Sequence, residues 1–452
     1  MKTAAFITFG CKINQYETEA IREEVLSLGY EEVAPLAVAD VYVVNTCAVT
    51  AASGVKSRKA VRRVARRNPA SKILVVGCST PSEKERLSSI PQVALLAGNE
   101  EKSLVASFLN GGWKPGEPIP AKERDIFSLS ISRYGSRTRA NIKVQDGCNS
   151  FCSFCIIPFL RGRSKSRHPA AVVEEVRRLA DGGYREVVIT GVHLQDYGLD
   201  LSPGCDLPEL LGRVAGVSGI ERVRMSSLGV RSFTEGLVDL FGDPIFCPHW
   251  HIPLQAGSDD VLKAMRRDYS VRQFREVVAT LRAKFDDPSI STDVIVGHPG
   301  ETEVHFEETL RVCREFAFSK IHIFPYSVRE GTLAAKLGGF VAPLEIRRRA
   351  QVLAELEAEL GLAYKKKLLG RTVNDVLVEN VKSSGSDVAE SLELEGTTAR
   401  YVKVRFPAPS LRAVERFPGS IQPVRIDDVE PTLARGVWAG ELEPSATYHA
   451  PR

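Results

Sequence analysis

Cys148, Cys152 and Cys155 fall in the run VQDGCNSFCSFCIIP with the spacing CxxxCxxC. Thiolates are soft ligands that suit iron-sulfur clusters. Three of them on one tight loop can hold three irons of a 4Fe-4S cube and leave the fourth iron without a protein ligand. An open iron can chelate the amino and carboxylate groups of S-adenosylmethionine, and an electron passed through it can split the sulfonium bond. The alternative is a zinc loop completed by His168 or a distant thiol. Closed zinc sites, however, usually space their ligands as CxxC pairs.

A second triplet is dispersed. Cys11, Cys47 and Cys78 end the pieces TFGC, VNTC and VVGC, each an apolar run of strand character. In a parallel sheet the carboxyl ends of the strands share one edge, where ligands bind. Thiols delivered there can converge on one cluster, with Gly10 and Gly77 letting the backbone turn closely. Scattered buried cysteines acting as small hydrophobes are the competing explanation. Cys205, Cys247 and Cys313 share no such placement and read as structural.

The elements that must position these thiols follow from hydrophobic rhythm. TAAFITFG, VYVVNTC and KILVVGC read as strands, with a helical pattern from Glu17 to Leu28 and a basic helix after the second strand. Apolar strands separated by helices predict a parallel sheet covered on both faces. GGWKPGEPIP, residues 111 to 120, reads as a linker. NIKVQDG, REVVITGV, ERVRMSS, HWHIPLQ, STDVIVG and KIHIFPYS then alternate with helices such as AAVVEEVRRLADGG. This rhythm predicts a partial or full α/β barrel. From about Thr372 the pieces VNDVLVEN, RYVKVRFP and SIQPVRIDDVE predict a small all-β barrel, and the stretch after Leu433 is expected to be poorly ordered.

Composition narrows the class. The 452 residues allow two to four domains, and 43% hydrophobic content is ample for ordinary cores. No apolar run reaches a membrane span, and Met1 to Thr8 is an apolar start without a processing site. The nine cysteines therefore read as reduced, cytoplasmic and metal-binding rather than disulfide-forming.

Several middle-section residues near strand ends could hold a cofactor. Gly191 could admit the methionine end of S-adenosylmethionine, Ser226 and Ser227 could bond ribose hydroxyls, and Gln255 and Asp293 could meet ribose or the amino group. A serine pair can equally cap a helix, and a glutamine can be a satisfied core amide. The run KSRKAVRRVARR places Arg58, Arg62 and Arg66 four apart, alongside Arg63, with Val61, Val64 and Ala65 on the candidate buried side. A solvated face is the usual meaning of such a run, but its nearly single sign favours phosphate contact. Arg161, Arg163, Lys165 and Arg167 form a second basic cluster after the cysteine loop, for RNA backbone or for nearby carboxylates.

These residues resemble a known family. TFGCKINQYETEAI, NTCAVT and VVGC are similar to the amino-terminal domain of the radical S-adenosylmethionine methylthiotransferases. VQDGCNSFCSFCIIPFLRGRSKSR, ITGVHLQDYG, RVRMSSL, HIPLQAGSDDVLKAMRR, DVIVGHPGET and HIFPYSVREGT resemble their radical domain. The carboxy-terminal piece resembles a TRAM domain, an RNA-binding barrel. The resemblance implies an α/β chain with an amino-terminal parallel-sheet domain over 1–120, a partial (β/α) radical barrel over 134–368 and a small all-β TRAM barrel over 370–435. It implies two 4Fe-4S clusters, one on Cys148, Cys152 and Cys155 and an auxiliary one on Cys11, Cys47 and Cys78, with S-adenosylmethionine as cofactor.

The implied reaction inserts sulfur at carbon 2 of an adenine and methylates it. It works on the anticodon stem-loop of transfer RNA and draws on a reductant protein and a sulfur donor. The first motif is closest to the branch acting on N6-threonylcarbamoyladenosine. Lys12 stands where the branch acting on a ribosomal protein has proline. An isopentenyladenosine enzyme and a non-catalytic iron-sulfur RNA-binding protein are the alternatives. No residue beyond the cluster ligands is singled out as catalytic. Ser79 and Thr80 after Cys78, and His298 in GHPGET, depart from the usual pattern. A nearby packing change is the expectation for His298.

Overall fold

The computed structural model describes residues 1–120, 125–135, 137–384 and 391–440. They form two compact units, Met1–Glu357 and Ala358–Arg452. In the first unit, β1 (Thr3–Thr8), β2 (Val41–Thr46), β3 (Lys72–Gly77) and β4 (Val93–Ala97) run parallel in that order, and the short strand Glu31–Glu32 pairs with the outer edge of β1. Every residue of β2 is buried. That is the pattern of a strand covered on both faces, and it explains the unbroken β-branched run. Three helices connect the strands: α1 (Lys12–Ser27), α2 (Ala51–Arg67) and α3 (Pro81–Ser88). Val61, Val64 and Ala65 of α2 pack with Tyr42, Val44, Ile73 and Val75, so the predicted buried side of the basic helix is the buried side.

A second group of parallel strands follows: β5 (Arg139–Lys143), β6 (Glu186–Thr190), β7 (Arg222–Met225), β8 (His249–His251), β9 (Ser289–Val296) and β10 (Lys320–Pro325). β5, β6 and β7 pair in chain order, as do β8, β9 and β10. Parallel bridges Val223 to Phe246 and Ser227 to His251 join the two groups. The result is a partial barrel with its strands in sequential order. Strand side chains alternate between faces. Here Ala140, Ile142, Val187, Ile189, Val223, Trp250, Ile290 and Val294 are buried on one face. The alternate positions are mostly polar, Asn141, Lys143, Glu186, Arg222, Arg224, His249, His251, Ser291, Asp293 and His322, with Val188 and Ile295 among them. The lumen is therefore polar and charged. Helix α1 of the sheet packs against β5, bringing Glu17 within 3.0 Å of Lys143.

In the second unit, β11 (Thr372–Ser384), β12 (Ser391–Thr397), β13 (Lys403–Pro407), β14 (Ile421–Val429) and β15 (Ala434–Trp438) close a barrel in the order 11-12-13-15-14. Val376, Val378, Leu394, Val404, Phe406, Val424 and Ile426 fill it. This corrects the expectation that order ends at Leu433: β15 pairs with β14 and β13 and closes the ring. A boundary at residue 435 would cut through that strand. The remaining tail, 441–452, lies outside the described residues. Among the described residues no helix is long and apolar enough to cross a membrane.

Phe406 is fully buried in the small barrel. Phe406→Ala is expected to destabilise that unit by about 3–5 kcal/mol, the usual cost of emptying a buried aromatic site. Denaturant unfolding followed by near-ultraviolet circular dichroism measures it, and a loss well below that range would mean the barrel core is loosely packed.

Candidate functional site

Cys11 is the N-cap of α1, and Cys47 and Cys78 directly follow β2 and β3. The parallel register sets Thr46 beside Gly77, so the last two thiols leave one sheet edge together. Gly10 and Gly77 both have positive φ, at 100° and 94°. A Cβ at Gly10 would stand 2.8 Å from the Cys47 sulfur, so that glycine is what lets the chain pass the thiol. Burial pushes the Cys47 thiol up to about 11, and the neighbouring Cys11 and Cys78 sulfurs push the same way. The structure thus brings the dispersed triplet together. Ser79 and Thr80 have local roles: the Ser79 hydroxyl is 2.9 Å from Thr46 Oγ1, and Thr80 caps α3 in a capping box with Glu83.

The loop Cys148–Cys155 is pinned from several sides. Ser153 N–H donates to the Met265 carbonyl at 3.0 Å, and its carbonyl accepts from Ala334 N–H at 2.7 Å. The Ser153 hydroxyl lies 3.1 Å from His298 Nε2, while His298 Nδ1 lies 3.0 Å from the Pro299 carbonyl. The second contact requires an N–H at Nδ1, so Nε2 is the acceptor for Ser153. His298 is fully buried and tied to the cysteine loop by a hydrogen bond, which corrects the bare packing change expected for it. Arg267 Nη1 donates to the Cys152 sulfur at 3.1 Å. Burial raises the Cys148 thiol and pushes Cys155 up to about 12. His168 is exposed at the start of helix Pro169–Asp181, and among the described residues no three histidine, cysteine or carboxylate side chains converge at single-ion spacing.

Between the two thiol sets lies a group of buried charges that the sequence did not reveal. Glu17 of α1 meets Lys102 at 2.5 Å, Lys143 at 3.0 Å and Arg161 at 3.2 Å. Asp146, two residues before Cys148, meets Lys143 at 2.7 Å and Arg161 at 2.9 Å. Burial alone would raise Glu17, but Arg161, Lys102 and Lys143 outweigh it and hold its carboxyl at about 2. Asp146 is held down by Arg161 and Lys143 against the same burial. Arg161 Nη2 also donates to Asn14 Oδ1 at 2.7 Å. Asn14 in turn donates to the Phe9 and Thr46 carbonyls at 2.8 and 2.7 Å, beside Cys11 and Cys47. Asn99 donates to the Leu160 carbonyl at 2.7 Å, accepts from Lys102 at 2.9 Å and lies 3.7 Å from the Cys78 sulfur. Arg161 is thereby corrected: its guanidinium is buried and bonded to carboxylates, so it makes no phosphate contact. The same holds for Arg167, buried against Glu175.

The other expected site residues divide. Arg62, Arg63 and Arg66 are exposed along α2, and Arg163 is exposed over the Phe151 ring at 4.7 Å. Arg58, expected at phosphate, is half-buried and pairs with Glu83 at 3.3 Å. Ser226 is buried, and its hydroxyl has no hydrogen-bond partner among the described residues. Ser227 is half-buried and bridges to His251. Gln255 is half-buried with φ of 64°, and its backbone pairs with β9. Gly191 is accounted for by packing, since a Cβ there would stand 2.6 Å from Leu194 and 2.9 Å from Gln145. Asp293 is engaged by His251 Nε2 at 3.1 Å. Three thiols on one loop, with a cation on one of their sulfurs, suit an iron-sulfur cluster.

Residues 142–313 match the model of the radical SAM superfamily, and residues 3–98 match the uncharacterized protein family UPF0004. The threonylcarbamoyladenosine tRNA methylthiotransferase MtaB of Bacillus subtilis is 35% identical over 99% of this chain and 99% of its own length. The protein of that name in Thermotoga maritima is 39% identical over 90% of this chain and 92% of its own. The tRNA-2-methylthio-N(6)-dimethylallyladenosine synthase of Pelotomaculum thermopropionicum is 34% identical over 85% of this chain and 88% of its own. Among solved structures, the radical S-adenosylmethionine methyltransferase TsrM of Kitasatospora setae, with cobalamin and a 4Fe-4S cluster bound, superposes with a TM-score of 0.52 at 15% identity, covering 72% of each chain. That likeness is one of fold.

Two outcomes test the site. Glu17 is held at about 2 against 4.5 when free, so its stabilising contribution is complete above about 4.5 and disappears as pH falls toward 2. Denaturant midpoints should therefore be flat near neutrality and fall below about pH 4.5, and Glu17→Gln should remove part of that fall. His298→Phe removes the acceptor beneath Ser153 and should speed loss of reconstituted iron to a chelator severalfold, followed by absorbance. An unchanged rate would separate His298 from the loop's rigidity.

Proposed function

The chain belongs to the radical S-adenosylmethionine methylthiotransferases, and from that membership we propose that it converts N6-threonylcarbamoyladenosine beside the anticodon of transfer RNA to its 2-methylthio derivative. The observation that carries this reading is the pairing of two thiol sets across one buried charge group, in a chain similar over its whole length to enzymes named for that substrate. In the net change, the C–H bond at carbon 2 of the adenine is replaced by a C–S bond, and the sulfur takes a methyl group.

Cys148, Cys152 and Cys155 would hold the radical-generating 4Fe-4S cluster, and Cys11, Cys47 and Cys78 the auxiliary one. When bound, the clusters and S-adenosylmethionine supply the one-electron chemistry and the methyl group that an unactivated aromatic C–H demands. The residues of the chain position and shield. Arg267 donates to the Cys152 sulfur and would offset the negative charge that a bound cluster places there. His298 and Ser153 fix the middle of the loop. Ser226, Ser227 and Gln255 offer polar groups to S-adenosylmethionine at the strand ends. The exposed arginines 62, 63 and 66 offer a face to the RNA backbone, while base identity is read in the lumen. Electrons come from a separate reductant protein, and the reaction belongs to the cytoplasm, where transfer RNA is.

Mass spectrometry of nucleosides from transfer RNA, with and without the gene, tests the reading. The 2-methylthio derivative of N6-threonylcarbamoyladenosine should vanish in the deletion strain. Loss of the isopentenyladenosine derivative instead would move the chain to the other branch. Reduced, reconstituted protein that releases no 5′-deoxyadenosine from S-adenosylmethionine would leave only an RNA-binding role. Joint neutralisation of Arg62, Arg63 and Arg66 should weaken binding to transfer RNA and flatten its salt dependence, by about one unit of slope for each phosphate the face no longer neutralises. An unaltered slope would remove this face from the RNA interface.

A further inference from the structure

Beside the cysteine loop, two aromatic rings and a guanidinium are held together at the surface. Phe151, between Cys148 and Cys152, meets Phe159 edge to face, with ring centroids 5.7 Å apart and planes at 79°. The Arg163 guanidinium covers the Phe151 ring at 4.7 Å. Arg163 is exposed, and among the described residues no carboxylate pairs with it. Phe159 is 62% exposed. A single exposed apolar side chain is ordinary on a protein surface. Here, however, the three groups are fixed. Phe151 keeps its bulky side chain at a φ of 46°, a left-handed conformation that disfavours it. The Gly162 carbonyl accepts from Cys148 N–H at 3.2 Å, and the Arg163 carbonyl packs so close on Gly147 that a Cβ there would not fit. The rings and the guanidinium are therefore anchored to the loop that carries the thiols.

Phe159 is also tied to both thiol sets. It belongs to the short helix Ile157–Arg161, which starts two residues after Cys155. Its neighbour Leu160 accepts at the carbonyl from Asn99 at 2.7 Å, and Asn99 lies 3.7 Å from the Cys78 sulfur. Arg161 then locks the end of this helix into the buried charge group. An adenine whose carbon 2 is to react must leave its stack, and its neighbours then lose a stacking face. Proteins that bind single-stranded loops splay such bases onto aromatic side chains and guanidinium planes. A phenyl ring in water, beside both thiol sets, offers that replacement. A guanidinium stacked on a ring keeps its in-plane N–H groups free for a phosphate, which complements an anionic backbone.

We propose that Phe159 and Phe151, with Arg163, form a stacking platform for an unpaired anticodon-loop base that flanks the target adenosine. The proposal rests on the transfer RNA reading and adds the residues that hold the opened loop against the thiols. Phe159 takes the face of the base, Phe151 sets the orientation of that ring, and Arg163 steadies Phe151 and meets a backbone phosphate. The platform reads no base identity, since every base has a π face. Its work is to keep the loop open, so that the extruded adenine is not drawn back into its stack. A protein docking on the same rings, the reductant among them, is the competing occupant. Planar rings instead of aliphatic side chains, and an exposed arginine with no carboxylate partner, favour RNA.

The test uses the full, anaerobically reconstituted chain and reads its binding of anticodon stem-loop RNAs by fluorescence anisotropy. All carry N6-threonylcarbamoyladenosine. One is otherwise intact, and two lack the base on its 5′ or its 3′ side. Phe159→Ala should weaken binding of the intact RNA about tenfold, within the usual worth of one base stacked on an aromatic side chain. On one of the two abasic RNAs the same substitution should cost little, because the contact it removes is already gone. Phe159→Trp should keep the wild-type affinity, while Phe159→Leu, with apolar bulk but no ring, should lose it. The salt slope should stay unchanged in every Phe159 variant and fall by about one unit in Arg163→Gln. Should Phe159→Ala fail to take up iron, Phe159→Leu gives the same reading. Equal affinity of variant and wild type for the intact RNA overturns the platform. So does an equal loss on all three RNAs. Wild-type RNA binding combined with slower cluster reduction by a flavodoxin would assign the rings to the reductant and overturn it as well. A wild type that binds no stem-loop defeats the transfer RNA reading itself, a separate and distinguishable failure.

Discussion

The two carboxylates of Glu17 and Asp146, placed out of water among Lys102, Lys143 and Arg161, are the constraint on which the rest of the first unit depends. Removing charges from water is costly, and their mutual attraction returns that cost only with close geometry and further hydrogen bonds. Both conditions are met. Every member has at least two partners, and Asn14 and Asn99 extend the group to backbone carbonyls. A network of this kind adds little net stability, but it admits few alternative arrangements. Glu17 belongs to a helix of the sheet domain, Lys143 and Asp146 to the first barrel strand and its exit, and Arg161 to the segment after the cysteine loop. Satisfying the charges fixes these elements in one register. It therefore fixes the dispersed thiols against the clustered ones.

The polar lumen is the second consequence of the same architecture. A closed barrel filled by its own side chains carries bulky aliphatic residues inside. Here most inward positions are polar or charged, with Val188 and Ile295 among them, and several pair laterally, as Arg222 and Arg224 do with Glu186. Such a lumen is not a hydrophobic core.

Much of this was legible in the sequence, and the failures have common causes. The cysteine spacings and the strand rhythm are local signals, and both strand systems and the small barrel follow them. The buried side of the basic helix was readable because Val61, Val64 and Ala65 repeat at helical spacing. Arg161 was misread because RGRSKSR looks like a solvated run, whereas its partners lie 15 and 144 residues away in the chain. No local pattern encodes that pairing. Glu17 likewise resembles any acidic residue of an amphipathic helix until the helix meets a barrel. The last strand, ARGVW, carries too few apolar residues to be read alone, and only ring closure between its neighbours makes it a strand.

The charge group also bears on how the thiols could take up metal. Three cations face two carboxylates, so one positive charge is in excess in a dry interior. Burial works against the charge of Arg161, but Asp146 and Glu17 outweigh it and hold the group well above its ordinary range, and Cys78 and Cys11 lie within its electrostatic reach. Burial meanwhile pushes Cys47 up to about 11 and Cys155 up to about 12, so in the absence of metal these sulfurs keep their protons near neutrality. Ligation must expel those protons and leaves net negative charge on the sulfurs. The excess cation on one side and Arg267 on the other stand where that negative charge would develop. A protein that buries its cysteines so deeply needs such compensation, because a thiolate cluster in an apolar pocket without it would be opposed by the same desolvation that holds the free thiols neutral.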